Sequence, residues 1–576
     1  MNKSYKNTFD PNLKKALSET ILRDLPEDYS SPYILEIINA LIGSLSRGDI
    51  YLDLDEKESI PLEIKSKGWP TKHSKALEQS GLLSTENGPL VITDNLLAFK
   101  RWHKEMEELI YYLEEKSKNN INSLTGSSLK DQQNFQLHLN NDQKKAIEKV
   151  LFQKLILISG GPGTGKTKTI AQMLIQLFIN KPNIKVGLAA PTGKAARRLR
   201  ESLHASLDNV NENIMEKLLK VQCKTLHKWL KAKEGKFLVN KSHPLQLDLL
   251  VVDEMSMVDI NLMKSLTNAL QKRTQLVLVG DPDQLPPIGS GAIWNHLHTK
   301  KMLTRFKDER IELRKVYRNR GQIALLAKSL QSKGLDSFWE DLNRIPSDSN
   351  VDLHKERKSI IPPFIINELH KHQKNLQTLS KNLVINKYYM NINSEGEEEE
   401  AFKDLSTKIF CCLEELIVLC PRKYGYWSVD HINKTMLENH FENDISTWPE
   451  GVPVICGANQ PEIGLSNGDI GLTVGNEGSR YLLFRVMSED QKLKSRLIEP
   501  SRIKQLNAAF AITIHKAQGS ESARVILMWP NSTYDHLSLK KEVLQLDKKF
   551  EKSLLYTAIT RAKKRLDIIK EDLSKE

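Results

Sequence analysis

The sequence predicts an α/β fold in which parallel strands alternate with helices, and three observations carry this prediction. Short apolar runs that read as buried strands recur along the chain, separated by stretches with helical periodicity. Several of these runs end in glycine-rich or acidic turns, which is where parallel sheets bind their ligands. The length of 576 residues favours several domains, about four by the usual ratio.

The bulk composition leads us to expect a soluble, cytoplasmic protein. No run approaches the roughly 18 apolar residues that span a membrane, and the N-terminus has no apolar signal core. The five cysteines form no C-x-x-C pair, so the sequence supports neither a zinc site nor an iron–sulfur cluster. The net charge of +12 suits a polyanionic partner, but a composition rich in Lys, Asn and Ile would raise it without function.

Residues 1–115 are predicted to form a mostly helical domain that packs on the rest of the chain or binds a partner. Apolar residues recur there at helical spacing, and a short strand is predicted at 89–92. The run LAFKRWHKEMEELIYYLEE, residues 97–115, is predicted to be a helix. Residues 116–134 are polar and contain Gly and Ser, which predicts a linker.

A first α/β domain is predicted over residues 135–315, because apolar runs alternate there with helical stretches as a parallel sheet requires. One arm of a small inserted hairpin is predicted at 236–240. The predicted strands are 155–158, 186–190, 249–252 and 276–279.

A second α/β domain is predicted over residues 316–576. It begins with an irregular, helix-leaning segment at about 325–410, whose acidic run (Glu395 and 397–400) is better explained as a solvated loop than as a metal site. Short, turn-rich pieces at about 451–503 predict a small β insertion. The predicted strands are 416–419, 452–455, 471–474, 481–484, 510–514 and 525–528.

A glycine-rich turn after the first strand of the first domain predicts a nucleotide-binding loop. Gly160, Gly165, Lys166 and Thr167 fit the phosphate-loop pattern G-x-x-x-x-G-K-[ST]. Glycines let backbone N–H groups point at phosphate oxygens, and the helix that follows adds its positive N-terminus. Lys166 is predicted to reach the β- and γ-phosphates, and Thr167 to offer its hydroxyl to Mg²⁺.

Two further strands end in polar residues that would complete an NTPase site. Asp253 and Glu254 follow the strand at 249–252, where Asp253 would hold Mg²⁺ and Glu254 would polarise the attacking water. Gln284 follows the strand at 276–279 and would hydrogen-bond the γ-phosphate or its water. Phosphoryl transfer also uses an arginine that arrives in the closed state, and spacing alone does not identify it among 84 basic residues.

Nine segments match the motifs of a known family in order. The chain resembles superfamily 1 DNA helicases, and among them the RecD family, over about residues 136–565. The resemblance implies two RecA-like P-loop NTPase domains with ATP in the cleft between them, a mostly helical N-terminal domain, and a small β insertion in the second RecA-like domain. The segments are SGGPGTGKT, APTGKAARRL, TLHKWL, LLVVDEMSMVD, VGDPDQLPPIGSGA, the YR of KVYR, NGDIGL, ITIHKAQGSE and LLYTAITRAKKRL.

The resemblance implies roles that spacing does not single out. Arg318 and Arg561 would reach the γ-phosphate and complete the catalytic set of Lys166, Glu254 and Gln284. Gln143 would read adenine and Tyr317 would stack on the base, whereas Lys168 stands where Thr is commoner and is expected to face away from the phosphates. The implied nucleotide contacts are Gln143, Gly160, Gly161, Pro162, Gly163, Thr164, Gly165, Lys166, Thr167, Lys168, Tyr317 and Glu521, and the implied DNA contacts are Pro191, Thr192, Lys194, His227, Thr513, His515 and Lys516.

The resemblance also implies an ATP- and Mg²⁺-dependent helicase subunit that moves 5′→3′ on single-stranded DNA at a duplex end. RecB-like and RecC-like subunits would complete a heterotrimer acting in double-strand break repair and recombination. Exonuclease activity would reside in a partner, because the sequence shows no nuclease metal-binding constellation. Two alternatives stay open: a stand-alone RecD-like helicase acting on DNA or RNA, and a nucleotide-binding scaffold without turnover.

Overall fold

The chain divides into two compact units. Unit 1 comprises residues 1–191, 201–315 and 547–551, and unit 2 comprises residues 192–200, 316–546 and 552–576. No helix in the described part of the chain is long and apolar enough to cross a membrane. The computed structural model describes residues 11–23, 31–55, 60–61, 63–84, 88–118, 139–206, 210–233, 235–317, 321–346, 349–357, 360–383, 400–476, 480–487, 493–530 and 548–572.

The N-terminal part of unit 1 combines helices with a small antiparallel sheet. Its strands are β1 (Tyr51–Asp53), β2 (Leu90–Thr93) and β3 (Leu96–Phe99), with β3 in the middle. Strand β2 confirms the predicted strand at 89–92. The helix predicted from residue 97 begins instead at Lys100, because residues 97–99 are buried in the central strand β3. The helices are Pro11–Arg23, Pro32–Ser46, Thr71–Gln79 and Lys100–Lys118.

A single hydrophobic core joins these helices to the larger sheet of unit 1. It contains Ile38 and Leu41 from the helix Pro32–Ser46 together with Leu250 and Leu278 from the sheet. A buried polar contact reinforces this core, since Lys116 Nζ donates to the backbone oxygen of Thr274 at 2.6 Å. The N-terminal helices and the larger sheet therefore form one packed body.

The larger sheet of unit 1 is parallel throughout. The strands that follow β3 are β4 (Leu155–Ser159), β5 (Val186–Ala190), β6 (Gln222–Thr225), β7 (Ala232–Lys233), β8 (Lys236–Phe237), β9 (Leu249–Val252), β10 (Gln275–Gly280) and β11 (Arg310–Glu312). The sheet order is β11-β4-β10-β9-β5-β6, and the four predicted strands are confirmed as the fully buried β4, β5, β9 and β10. Strands β7 and β8 confirm the predicted hairpin, whereas the edge strands β6 and β11 are additions to the prediction.

Helices connect the parallel strands of this sheet, as parallel pairing requires. The helix Gly193–His204 is shared by the two units, because residues 192–200 group with unit 2. The helices are Asn141–Phe152, Lys166–Asn180, Gly193–His204, Glu212–Lys220, Leu226–Trp229, Ile260–Ala269, Ile293–Leu297 and Lys300–Arg305, with a 3₁₀ turn at Met255–Met257.

Unit 2 contains a second parallel sheet and an antiparallel one. Its strands are β12 (Val351–Glu356), β13 (Leu416–Cys420), β14 (Pro453–Cys456), β15 (Ile470–Val474), β16 (Tyr481–Met487), β17 (Leu493–Ile498), β18 (Leu506–Ala508), β19 (Ala511–Thr513), β20 (Ser522–Trp529) and β21 (Ala562–Glu571). The parallel sheet has the order β12-β21-β20-β13-β19, which confirms the strands predicted at 416–419, 510–514 and 525–528. Strand β12 corrects the irregular reading of segment 325–410, because residues 351–356 pair in parallel with β21.

The antiparallel sheet, in the order β17-β16-β15-β14-β18, lies between β13 and β19 along the chain and confirms the predicted small β insertion. The strands predicted at 452–455, 471–474 and 481–484 are β14, β15 and β16. The helices around both sheets are Gln322–Lys333, Leu335–Asn343, Pro363–Ser380, Glu400–Leu413, Val429–Leu437 and Lys548–Ile559.

The cysteines are described in full, whereas the predicted linker and the acidic run are described only in part. All five cysteines are free thiols, and Cys411 alone among them is exposed. Residues 119–134 of the predicted linker, and residues 395 and 397–399 of the acidic run, lie outside the described residues. Glu400 begins the helix Glu400–Leu413.

Candidate nucleotide-binding site

The predicted phosphate loop connects the buried strand β4 to the helix Lys166–Asn180. Gly163 and Gly165 have left-handed backbone conformations, with φ of 73° and 84°, which residues with a side chain rarely adopt. A Cβ on Gly160 would lie 2.7 Å from Thr164 Oγ1. The turn is therefore so tight that glycine is required at these positions.

The Lys166 ammonium group is directed into this turn. Its Nζ donates to the backbone oxygens of Gly160 at 2.7 Å and Gly161 at 3.1 Å. Together with the free N–H groups at the start of the helix, it forms a positive site of the kind that binds phosphate. Thr167 is half-buried in the first helical turn, and Lys168 is exposed.

Two neighbouring strands bring acidic and amide side chains to the same edge of the sheet. Strand β10 lies between β4 and β9, and its last residue, Gly280, pairs with Ser159 at the end of β4. Asp253 directly follows β9 and is buried, and its Oδ1 accepts from the Glu254 N–H at 2.8 Å. Glu254 has a φ of 56°, an uncommon left-handed conformation for a residue with a side chain and one that is enriched at functional sites.

A buried carboxylate in the turn after β10 connects Lys166 with Gln284. Asp281 is 1% exposed, and burial raises its pKa to about 6 although the charge of Lys166 opposes this rise. Gln284 Nε2 donates to Asp281 Oδ2 at 3.1 Å, and Gln284 Oε1 has no hydrogen-bond partner in the described part of the chain. The sequence predicts Gln284 but not Asp281, although the acidic turn Gly-Asp-Pro-Asp-Gln after a buried strand was the available signal.

The sequence matches family models over parts of both units and known proteins over most of its length. A family model described as an AAA domain matches residues 143–290, and one described as the UvrD-like helicase C-terminal domain matches residues 508–569. A Buchnera aphidicola (Acyrthosiphon pisum) protein named RecBCD enzyme subunit RecD is 30% identical over 552 residues, which cover 89% of this chain and 85% of that protein. The chain belongs to the RecD family.

Other relatives are more distant. The RecBCD enzyme subunit RecD of Mycolicibacterium smegmatis is 27% identical, over 96% of this chain and 91% of that protein. The ATP-dependent RecD2 DNA helicase of Deinococcus radiodurans is 26% identical, over 74% of this chain and 48% of that protein. A solved structure of a Bacteroides Pif1 helicase with ADP-AlF3 and single-stranded DNA is 16% identical, with a TM-score of 0.39, over 75% of this chain and 92% of that one.

Membership of the RecD family makes this chain one of the superfamily 1 ATP-dependent DNA helicases. The two parallel sheets are accordingly those of two RecA-like domains, as the resemblance implies. ATP is the nucleotide that this family uses, and binding of its phosphates by the turn from Gly160 to Lys166 stays a prediction that the geometry of the turn fits.

Gln143, the predicted adenine reader, also caps a helix. Its N–H donates to Asn140 Oδ1 at 2.9 Å, and its side-chain Oε1 accepts from the Asn140 N–H at 3.1 Å. This reciprocal pair is a capping box at the start of the helix Asn141–Phe152. The structural role of Gln143 is thus visible, and its contact with adenine stays a prediction for the RecD family.

The predicted nucleotide contacts from unit 2 have partners within that unit. Arg561 is buried, and its guanidinium donates to the backbone oxygens of Thr557 at 3.0 Å and Ser520 at 3.2 Å. Glu521 is ion-paired with Arg198, and Lys563 Nζ lies 3.9 Å away. Tyr317 is 38% exposed, and Arg318 lies outside the described residues.

The predicted DNA contacts before β9 lie at the starts of two helices. Thr192 Oγ1 accepts from the Ala195 N–H at 3.2 Å, and burial lowers the pKa of Lys194 to about 8. Pro191 follows β5 and is half-buried. His227 lies in the short helix Leu226–Trp229 with its ring centre 5.9 Å from that of Phe237, and desolvation lowers its pKa.

The predicted DNA contacts of unit 2 follow strand β19. Thr513 Oγ1 accepts from the Lys516 N–H at 3.3 Å, so the chain turns back immediately after the strand. Burial lowers the pKa values of both His515 and Lys516, and the charge of Lys423 lowers that of Lys516 further. Contact of these residues with DNA stays a prediction.

Proposed function

We propose that this chain is the helicase subunit of a RecBCD-type complex and that it uses ATP to move 5′→3′ along single-stranded DNA at a duplex end. One observation carries the proposal: in a chain of the RecD family, Lys166 is directed into the phosphate loop beside the buried pair of Asp281 and Gln284. This arrangement combines a phosphate site with side chains suited to hydrolysis.

Each residue at this edge has a task in the proposed hydrolysis. Lys166 exchanges its carbonyl partners for the β- and γ-phosphates, and Glu254 accepts the proton of the attacking water. Gln284, held through its Nε2 by Asp281, offers its Oε1 to orient that water. Thr167 and Asp253 supply oxygen ligands, which Mg²⁺ prefers, and bound Mg²⁺ would neutralise phosphate charge.

Similarity along the chain supports the proposed partners. The match to the RecD subunit of Mycolicibacterium smegmatis covers 96% of this chain, so it includes most of the N-terminal helices, and 91% of that protein, whereas the match to RecD2 covers 48% of RecD2. We therefore assign RecB-like and RecC-like partners, with the N-terminal helices as a contact surface. Nuclease activity would lie in a partner subunit, and the complex would act on cytoplasmic DNA. The match to RecD2 keeps a stand-alone helicase as the second candidate.

DNA-stimulated ATP hydrolysis tests the site itself. Lys166→Gln should abolish it, since the variant loses the one side chain that the loop directs at the phosphates. Lys272→Gln is the matched control, because Lys272 is exposed in the turn before β10, at the opposite edge of the sheet. Undiminished hydrolysis by Lys166→Gln would contradict the assignment of residues 160–167 as a phosphate-binding loop.

Tailed duplexes and co-purification test the remaining parts. A 5′-tailed duplex should be unwound and a 3′-tailed one should not, because the proposed motor loads on the 5′ tail. An affinity-tagged form of the chain should co-purify with RecB-like and RecC-like subunits in equimolar amounts. A stable monomer that unwinds DNA unaided would favour the stand-alone helicase instead. Unwinding of an RNA duplex would contradict the assignment of DNA as the substrate.

A further inference from the structure

A loop that follows strand β13 exposes two tyrosines between basic residues. Its sequence, residues 421–428, is Pro-Arg-Lys-Tyr-Gly-Tyr-Trp-Ser. Tyr424 and Tyr426 are 46% and 45% exposed, so nearly half of each side chain faces solvent. Gly425 between them has a φ of 96°, a conformation that suits glycine. Two aromatic side chains with this much exposure, two residues apart along the chain, each offer a ring face to a ligand.

The loop is held in place by its own backbone and by one buried side chain. The N–H groups of Val429 and Asp430 donate to the carbonyl oxygens of Arg422 at 3.3 Å and Lys423 at 2.9 Å. Trp427 is fully buried, and its Nε1 donates to a backbone oxygen at 3.0 Å. The tyrosines therefore stand on a closed, anchored loop, and a ligand that binds them orders little additional chain.

Basic side chains lie beside the two tyrosines. Lys423 Nζ lies 4.8 Å from the centre of the Tyr424 ring. Arg422 Nη2 donates to the backbone oxygen of Tyr426 at 3.0 Å. Lys516 is close enough for the charge of Lys423 to lower its pKa, in addition to the effect of burial. Such a surface is complementary to an anion that also carries flat rings.

The loop shares a sheet edge with one of the predicted DNA-contact segments. Strands β13 and β19 are parallel neighbours, with Cys420 paired to Thr513. The tyrosine loop follows Cys420, and the segment with His515 and Lys516 follows Thr513. Both segments therefore leave the sheet at the carboxyl ends of neighbouring parallel strands.

We propose that Tyr424 and Tyr426 form a stacking site for the bases of single-stranded DNA, with Lys423 and Lys516 beside the adjacent phosphates. This inference rests on the proposed helicase function and adds a binding site for the DNA strand within unit 2. Every base has a ring face, so stacking holds a strand whatever its sequence, as a motor that moves along DNA requires. The basic neighbours favour a nucleic acid over an apolar protein segment.

Binding of the full chain to a fluorescent oligothymidylate, and to an abasic strand of equal length, tests this proposal. Tyr424→Leu and Tyr426→Leu should each weaken oligothymidylate binding by about five- to a hundredfold and leave abasic binding unchanged. The salt dependence should also stay unchanged, because no phosphate contact is lost. Lys423→Gln should instead weaken both strands and reduce the slope of log K against log salt by about 0.7.

Two variants serve as controls. Tyr424→Phe keeps the ring and should bind like the unmodified chain. Tyr111→Leu removes a tyrosine that is 62% exposed in the helix Lys100–Lys118, and it should not change DNA binding. Equal losses on both strands, or unchanged binding by the two leucine variants, would overturn the stacking site.

DNA-stimulated ATP hydrolysis by the unmodified chain separates this failure from a failure of the helicase assignment. If the unmodified chain hydrolyses ATP in response to oligothymidylate while the leucine variants bind it normally, only the stacking site is refuted. If the unmodified chain neither binds oligothymidylate nor responds to it, the helicase function is refuted and the stacking site with it.

Discussion

Asp281→Asn should stabilise the folded protein while it slows ATP hydrolysis. The carboxyl of Asp281 is 1% exposed, and burial raises its pKa from 3.8 to about 6. One pKa unit corresponds to about 1.4 kcal/mol, so keeping this group ionised at neutral pH costs the folded state about 3 kcal/mol. An uncharged amide of the same shape avoids most of that cost.

The hydrogen bonds around Asp281 can accommodate the amide. Asp281 Oδ1 accepts from the Asp283 N–H at 3.1 Å, and an amide oxygen can keep that bond. Gln284 Nε2 donates to Asp281 Oδ2, and a flip of the Gln284 amide would let its unpaired Oε1 accept from the new NH₂ group. The flip would turn Oε1 away from the attacking water, so we expect turnover to fall about tenfold, which corresponds to about 1.4 kcal/mol of activation free energy.

The stabilisation should depend on pH with a definite sign. A carboxyl whose pKa is raised by folding binds its proton more tightly in the folded state, so its contribution to stability falls as the pH rises from about 4 to about 6. Thermal unfolding of both proteins between about pH 4 and pH 8 should show a difference that opens through this window. Above it, the variant should melt about 2–5 °C higher. A lower melting temperature for the variant at neutral pH, or a difference independent of pH, would refute the reasoning.

Three other substitutions separate structural from nucleotide-binding roles. Gln143→Ala should lower the unfolding free energy by about 1 kcal/mol because the capping box is lost, and should weaken the preference for ATP over GTP in competition assays; an unchanged preference would leave Gln143 with its capping role alone. Arg561→Met should lower the unfolding free energy by about 2–4 kcal/mol in urea titrations, because a buried carbonyl and a half-buried one lose a charged donor, and should also reduce ATP turnover; full stability would show those bonds to be dispensable. Gly160→Ala should weaken binding of a fluorescent ATP analogue by about tenfold or more, because its Cβ would press against Thr164; normal affinity would contradict the tight turn.

The four strands that the sequence predicts in the larger sheet of unit 1 share one physical property, and two edge strands that it misses lack it. Strands β4, β5, β9 and β10 are buried at every position, so each reads as an unbroken apolar run. Strands β6 and β12 lie at sheet edges and carry polar residues, as in Gln-Cys-Lys-Thr and Val-Asp-Leu-His-Lys-Glu, so local patterning does not identify them. Only their pairing with a distant strand makes them strands. The same cause explains the helix assigned to residues 97–99, which pairing on both sides holds as β3.

The site was predictable where its chemistry is encoded in consecutive residues. The turn from Gly160 to Thr167 is read directly from spacing, and its geometry follows from glycine and helix chemistry. Asp281 was missed because its importance comes from burial, which depends on the folded sheet. The second role of Gln143 was readable, since Asn140 three residues earlier forms the usual capping-box spacing. The partners of Arg561 depend on tertiary contacts and have no local signal.

The core shared by the N-terminal helices and the larger sheet has a mechanical consequence for any assembly that contains this chain. Leu41 and Leu250 belong to one hydrophobic cluster, and Lys116 is tied by a buried hydrogen bond to the backbone beside β10. A partner that binds the N-terminal helices would therefore contact the same packed body that carries the sheet and the predicted phosphate loop. We expect a force applied to those helices to be transmitted through the shared core to the strands beside the phosphate loop, as a motor tethered to a neighbouring subunit requires.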